Sequence, residues 1–261
     1  MTNVNNLGLL NSLSELINSH YDSGNHAIAS YLVENIYRLD QVTVNEIIDH
    51  AYVSRSAVRR FCEKLGYSSL IDLKSSFSKI IFPSDIRHRS KEDYHINNLQ
   101  LTELIKKMLD DINTVFTSSV LDQIVYQINR HNEVILLCAN NTSNTLIKFQ
   151  QEMIYANKVI VVLDQKYRSN KYLKALKPNA LLITVSTSGK YAEILNDFLR
   201  ELPGYKMMIT GNRNENLAKS YDQVFYISNS SFTEDYLGIY GKYGITYLFD
   251  QIFLRYVALF K

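Results

Sequence analysis

Arg55, Ser56, Arg59, Arg60 and Lys64 fall close together in the run VSRSAVRRFCEKLGY, residues 53–67. Guanidinium, ammonium and hydroxyl groups are the types that contact phosphates and base edges of a duplex. In the same run Val58, Phe61, Cys62 and Leu65 recur at spacings of three and four, which lines one side of a helix and leaves the cations on the other. Ser54 precedes the first turn, where its hydroxyl can accept a bond from an orphaned backbone N–H, and Gly66 follows the last periodic residue as a helix stop.

The segment just upstream has the form such a helix needs beside it. Thr43-Val44-Asn45-Glu46 has capping-box spacing, and Val44, Ile47 and Ile48 then predict a helix running to about His50. Ala51, Tyr52 and Val53 make the short turn of a helix-turn-helix, with Tyr52 where a glycine is often found. Thr43, Ser54, Arg55, Ser56, Arg59, Arg60 and Lys64 are therefore the candidate DNA-contacting residues. The competing reading is an ordinary helical hairpin with a solvated polar face. Charge placement favours DNA: residues 1–53 carry one Arg against six acids, whereas residues 54–91 carry nine Lys or Arg against three. A net charge of +2 conceals this asymmetry, which would supply sequence-independent attraction to phosphates.

A second set of residues has the chemistry to hold an anion. In Ser186-Thr187-Ser188-Gly189-Lys190-Tyr191-Ala192-Glu193, small hydroxyl residues and a glycine lie between a predicted strand and helix, so backbone N–H groups can approach a ligand closely. Asn140-Asn141-Thr142-Ser143 is read as a second loop of the same kind, with amides and hydroxyls suited to sugar hydroxyls or a phosphate. Helix capping alone is the competing explanation for both.

The elements that must position these groups change character along the chain. Helical spacing covers 7–20, 26–38, the two motif helices and a stretch near 68–80, ending at Pro83. Ser84 to Asn98 is polar and charged and reads as a linker. Helices over about 99–116 and 118–130 lead to apolar runs at Glu133 to Ala139, Lys158 to Leu163, Ala180 to Ser186, Tyr205 to Thr210 and Gln223 to Ile227. Between them lie helical patterns at about 143–156, 168–176, 190–201 and 213–220, and a last helix covers about Asp235 to Phe260. Short strands without in-out alternation, separated by helices, predict a doubly wound parallel sheet. The expected class is α/β: an all-α helix-turn-helix domain over 1–82, a linker over 83–98 and a parallel-sheet domain over 99–261.

Composition narrows the remaining possibilities. A chain of 261 residues with 46% hydrophobic and 21% charged residues has enough apolar material for two cored domains. No apolar run approaches the roughly 18 residues of a membrane span, and the first residues lack the form of a secretory signal, so a cytoplasmic protein is expected. Cys62 and Cys138 are separated and flanked by apolar residues, which predicts buried thiols and no disulfide. His and Cys lack metal-ligand spacing, and no cofactor motif is present.

Taken in order, "VSRSAVRRFCEKLGY", "STSGKYAE" and "ITGNRNENLAKSYD" resemble the RpiR-type family of bacterial transcription regulators, over roughly 7–80 and most of 99–260. The resemblance implies an N-terminal helix-turn-helix domain, a C-terminal sugar isomerase (SIS) domain, a homodimer or homotetramer, and operator binding modulated by a phosphosugar. It implies no cofactor. Carried over by position, Ser143, Ser186, Ser188 and Gly189 would face the sugar phosphate, with Glu193 nearby; Asn141, in the first loop, is a further candidate ligand-binding residue. The chain departs from the family pattern at Ala139 and Asn141, where glycines are usual, and at Tyr191, where a threonine is frequent. Two alternatives compete with a sensing regulator: an SIS-fold isomerase or lyase, and a regulator whose SIS domain only dimerises. An enzyme would need acid–base groups, yet neither loop contains a histidine, none follows His131, and Glu193 is the lone carboxylate of the serine-rich motif. Residue supply therefore favours binding over turnover.

Overall fold

Helices with an apolar stripe must bury it, and in the first part of the chain they bury it against one another. The computed structural model describes residues 6–18, 23–76, 94–164, 173, 175–229 and 238–261. The chain divides into two units, Met1–Ile81 and Phe82–Lys261. In the first, α1 (Asn6–Asn18), α2 (Gly24–Glu34), α3 (Val44–Ala51), α4 (Arg55–Lys64) and α5 (Leu70–Ser76) surround one core. Leu13, Ile28, Leu32, Ile47, Phe61 and Leu73 are its fully buried centre. The helical pattern read over 26–38 divides at Asn35, because the C-cap residue turns the chain into a 3-10 turn at Ile36–Arg38. Most of the expected linker, and most of the helical pattern at 168–176, lie outside the described residues.

The first described helices of the second unit are α6 (Tyr94–Val115) and α7 (Ser118–Arg130). β1 (Val134–Cys138), α8 (Asn140–Tyr155), β2 (Val161–Leu163), β3 (Leu181–Ser186), α9 (Lys190–Glu201), β4 (Tyr205–Thr210), α10 (Glu215–Ala218) and β5 (Gln223–Tyr226) follow. The five strands form one all-parallel sheet in the order β2-β1-β3-β4-β5, as the doubly wound expectation requires. The register pairs Cys138 with Val185 and Ser186 with Thr210, so the strand ends come level at one edge.

Alternate strand residues serve opposite faces. Val134, Leu136, Cys138, Ile183 and Val185 pack with α6, α7, α8 and the last helix, α11 (Ile245–Phe260), where Phe149 and Phe249 meet edge to face at 4.9 Å. Ile135, Leu137 and Leu182 pack on the other face with Tyr191, Leu195 and Leu199 of α9. The long terminal helix expected from Asp235 is preceded by a π-helical turn, Tyr240–Gly244, before α11 proper. Nothing in the apolar spacing distinguishes such a turn from an ordinary helix start. The pattern at 213–220 reduces to the single turn α10, and the run from Lys158 to the three residues of β2.

Both cysteines are buried free thiols, as expected. Burial pushes Cys62 up to about 11 and Cys138 up to about 12. A folded value above the unfolded one contributes stability that is full below about pH 8.5 and declines as the pH rises toward those values. Neither thiol should therefore react with an aromatic disulfide reagent in native buffer at pH 8, and both should react at once in denaturant. Rapid labelling of either one in the native protein would place it at the surface.

Candidate nucleic-acid interface and candidate anion site

The start of α3 is built around Glu46. Its carboxylate accepts from Thr43 N at 2.6 Å and from Arg38 Nη1 at 3.1 Å, while Thr43 Oγ1 accepts from Glu46 N at 3.2 Å. The Thr43 backbone bond, followed by the Arg38 bond, holds the Glu46 carboxyl below its ordinary range. This is the capping box expected from the spacing, so the Thr43 hydroxyl is already engaged. The turn then passes through Tyr52 at φ 52°, ψ 43°, a left-handed cap residue with its side chain 93% exposed. A non-glycine residue there costs roughly 1–2 kcal/mol, and the turn forms despite it.

Ser54 caps α4, accepting from Ala57 N at 3.2 Å and lying 2.9 Å from Ser56 Oγ. Val58, Phe61 and Cys62 face the core, which leaves Arg55, Ser56, Arg59, Arg60 and Lys64 on the exposed side. Two of the arginines are held. Arg55 Nη2 donates to Asn45 Oδ1 on α3 at 2.8 Å, and Arg59 Nε donates to Glu63 Oε1 at 2.9 Å. The Arg59 bond is made through Nε, and the side chain remains exposed. Arg60 and Lys64 have no protein partner among the described residues. Lys74, one of the basic residues counted in the positive excess, donates to Val42 O at 2.9 Å and is structural. Asn45 and Glu63 were not singled out by sequence. An i to i+4 spacing could have found Glu63, but no local signal marks Asn45, which acts across the turn.

In the second unit β1 leads to α8 on one face of the sheet and β3 leads to α9 on the other. The crevice beyond adjoining β1 and β3 is thus the switch point of the sheet. Both segments read as anion-binding lie at this edge. Their local structure differs from expectation in one respect: α8 begins at Asn140, with Ala139 as its N-cap, so Asn140–Ser143 is the first turn of a helix and not a loop. Thr142 is buried and donates through its N–H to Ala139 O at 2.9 Å, and Ser143 is half-buried. The side chains of Asn140 and Asn141 lie outside the described part of the structure. Alanine has no side-chain acceptor, and α9 likewise has Gly189 as N-cap with no side-chain cap bond. Two helix N-termini at the crevice therefore lack a cap from their own N-cap residues.

The serine-rich loop is braced from β4. Thr210 Oγ1 donates to Ser186 O at 2.7 Å, Gly211 N to Thr187 O at 2.9 Å, and Asn212 Nδ2 to Ser188 O at 2.9 Å. Three successive carbonyls are thus engaged away from the crevice, which removes acceptors that would repel an anion. Ser186 is buried and its Oγ accepts from Ala192 N, and Ser188 Oγ accepts from Lys190 N, both at 3.4 Å. Bonds of that length are weak, so capping accounts for these hydroxyls only in part. Gly189 sits at φ 80°, and a Cβ there would lie 2.4 Å from Asn212 Nδ2. Glu193 and Lys190 are exposed on the first turn of α9. The bracing residues Thr210, Gly211 and Asn212 were not identified as site residues. Their signal was a short Thr-Gly-Asn run after a strand, the same signal that marks the loop they hold.

Two clefts lie elsewhere. One of about 670 Å³ is lined by Asp122, Tyr126, Gln127, Tyr205 and Asp222, where β4 and β5 begin; one of about 220 Å³ runs between Thr145, Lys148, Phe149 and Asp250 of α8 and α11. Neither includes residues of the serine-rich loop; the first is bordered by Ser119 in the first turn of α7, whose N-cap Thr117 makes no side-chain cap bond. Among the described residues there is no cluster of metal-ligand type, and no helix is long and apolar enough to cross a membrane.

A family model described as the helix-turn-helix domain of the rpiR family matches residues 8–82. The N-terminal domain is an rpiR-family helix-turn-helix domain. No curated protein matches the chain. Among solved structures, the Vibrio vulnificus NanR protein complexed with ManNAc-6P is similar at 15% identity, covering 96% of this chain and 91% of that one, with a TM-score of 0.52. A putative sugar-phosphate isomerase from Listeria monocytogenes is similar at 16% identity over 65% of this chain and 92% of that one, also at 0.52. At these identities the likeness is one of fold, and the rpiR-type domain is followed here by a domain of the SIS fold.

The geometry around Gly189 makes a direct prediction. Gly189→Ala must place a Cβ in left-handed backbone and against Asn212, and should lower stability by about 2 kcal/mol or more in urea unfolding of the C-terminal unit. A loss below about 0.5 kcal/mol would mean that the loop and Asn212 relax together, and that the bracing described above is soft.

Proposed function

We propose that the chain is a DNA-binding transcription regulator of carbohydrate genes whose operator affinity is set by a sugar phosphate held at the crevice between β1 and β3. The observation that carries this reading is the pair of helix N-termini at the switch point, uncapped by Ala139 and Gly189, in a chain that also bears an rpiR-type domain. The positive ends of two helix dipoles, with first-turn amides of α9 held only at 3.4 Å by Ser186 and Ser188, suit a phosphate. The ligand in the similar NanR structure supports the same chemical class.

In this reading Arg55, Ser56 and Arg59 address base edges in the major groove, and Arg60 and Lys64 address phosphates. Thr43 and Ser54, with hydroxyls engaged in capping, hold the starts of α3 and α4 at the duplex. Ser143, Ser186, Ser188 and Gly189 surround the sugar phosphate, with Glu193 at the rim; Asn141, in the first turn of α8, is the remaining candidate. A homodimer would place two recognition helices on two half-sites. The chain acts by binding and not by turnover: Glu193 is exposed on the first turn of α9, and no histidine stands in either segment to share proton transfer with it.

The test is a gel shift on DNA upstream of this protein's gene, with N-acetylmannosamine 6-phosphate, glucosamine 6-phosphate, fructose 6-phosphate and ribose 5-phosphate as the panel. A specific shift altered by one sugar phosphate and not by inorganic phosphate is expected. No specific shift at moderate salt, or conversion of a panel member by the purified protein that Glu193→Gln abolishes, would overturn the reading. On the same DNA, Arg59→Ala should weaken binding by about 1–3 kcal/mol if it makes a bidentate guanine contact. An equal loss on unrelated DNA would make Arg59 a backbone contact.

A further inference from the structure

The geometry points to the π-helical turn Tyr240–Gly244 as the element that carries occupancy of the serine-rich loop to α6, an inference that rests on the regulatory reading above. The turn has close neighbours on two sides. A Cβ on Gly241 would stand 3.8 Å from Thr187 Oγ1, so its backbone lies against the middle residue of the loop. A Cβ on Gly244 would stand 3.1 Å from both Ile112 Cδ1 and Met108 Sδ, so the far end of the turn lies against α6.

Between these contacts Tyr240 reaches across. Its hydroxyl donates to Asp111 Oδ2 at 2.6 Å, and Asn229 N donates to Asp111 Oδ1 at 3.2 Å from the loop after β5. Burial pushes the Asp111 carboxyl up, but bonds from Ser228, Tyr240 and Asn229 outweigh it and hold the group below its ordinary range. A charged acceptor on α6 is thus tied both to the π turn and to the carboxyl edge of the sheet. Tyr247 and Gln251 of α11 extend the clasp, both donating to Asn113 Oδ1, at 2.8 and 2.7 Å.

A π turn holds one residue more than the α-helix it interrupts, and such turns recur at functional sites. Passing to α-helical register rotates a residue by about 100° about the helix axis, so the Tyr240 hydroxyl cannot hold Asp111 in both registers. That makes the turn an element with two discrete arrangements, as coupling between sites requires. An anion drawn onto the loop amides displaces Thr187 against the Gly241 backbone and biases the register. α6 then responds through Asp111 and the Gly244 contact. α6 is the first described helix after the DNA-binding unit in the chain. Tyr240 acts here as a positioning residue and touches no ligand.

Tyr240→Phe removes one oxygen and tests the proposal. Hydrogen exchange would be followed in the full-length protein with and without each sugar phosphate of the panel. In wild type, protection should change both in 186–193 and in the second half of α6. In the variant the change in 186–193 should persist, the change in α6 should vanish, and the sugar phosphate's effect on operator Kd should fall to within about twofold of none, against the roughly 5–150-fold usual for coupled sites. Equal responses of α6 in wild type and variant would overturn the π-turn proposal and leave the regulatory reading standing. No change in 186–193 with any panel member in wild type would remove the regulatory reading, and this proposal with it.

Discussion

The reversal of crossover direction between β1 and β3 is the constraint on which the rest of the C-terminal unit depends. A right-handed crossover from β1 to β2 puts α8 on one face of the sheet. The crossovers that build outward from β3 in the opposite direction put α9 on the other. No helix can then cover the ends of the two central strands, and their two following helices open toward the same crevice. The strands beneath it, Val134–Cys138 and Leu181–Ser186, are buried throughout. A fully buried pair of strands thus supports a polar edge, and the position of that edge follows from topology before any site residue is considered. The loop from β4 completes the arrangement, since Thr210 and Asn212 reach it only because β4 lies in register beside β3.

How much of this was legible in the sequence depended on the range of the interaction involved. The cap residues Thr43 and Ser54, the boundaries of α4 and the all-parallel sheet follow from residue type and spacing over a few positions, and they stand as expected. Ala139 at the N-cap of α8 was not legible, because alanine carries no capping signal and the polar residues after it imitate a loop. The π turn was not legible either: the apolar period continues through it, and its close approaches to Met108, Ile112 and Thr187 are made by residues distant in the chain. Asn212 and Asn45 belong to the same class. Each is polar, unremarkable in its own segment, and becomes a bracing group only when the fold brings Ser188 or Arg55 to it.

The two units use helix N-termini in opposite ways, and this contrast separates their chemistry. In the first, Thr43 and Ser54 satisfy the first-turn amides of α3 and α4 with their own hydroxyls. Those starts are then rigid and largely self-sufficient, so what projects from them is guanidinium and ammonium. Such groups attract phosphate at long range and discriminate bases through forked geometry. In the second, Ala139 and Gly189 leave the corresponding amides of α8 and α9 without a cap from the N-cap side chain, while the nearby carbonyls of Ser186, Thr187 and Ser188 are held by β4. Uncapped amides cost stability unless something accepts from them. The cationic face suits a long polyanion met at the surface. The second pair leaves first-turn amides of α9 held only at 3.4 Å, and the proposed anion site rests on that geometry.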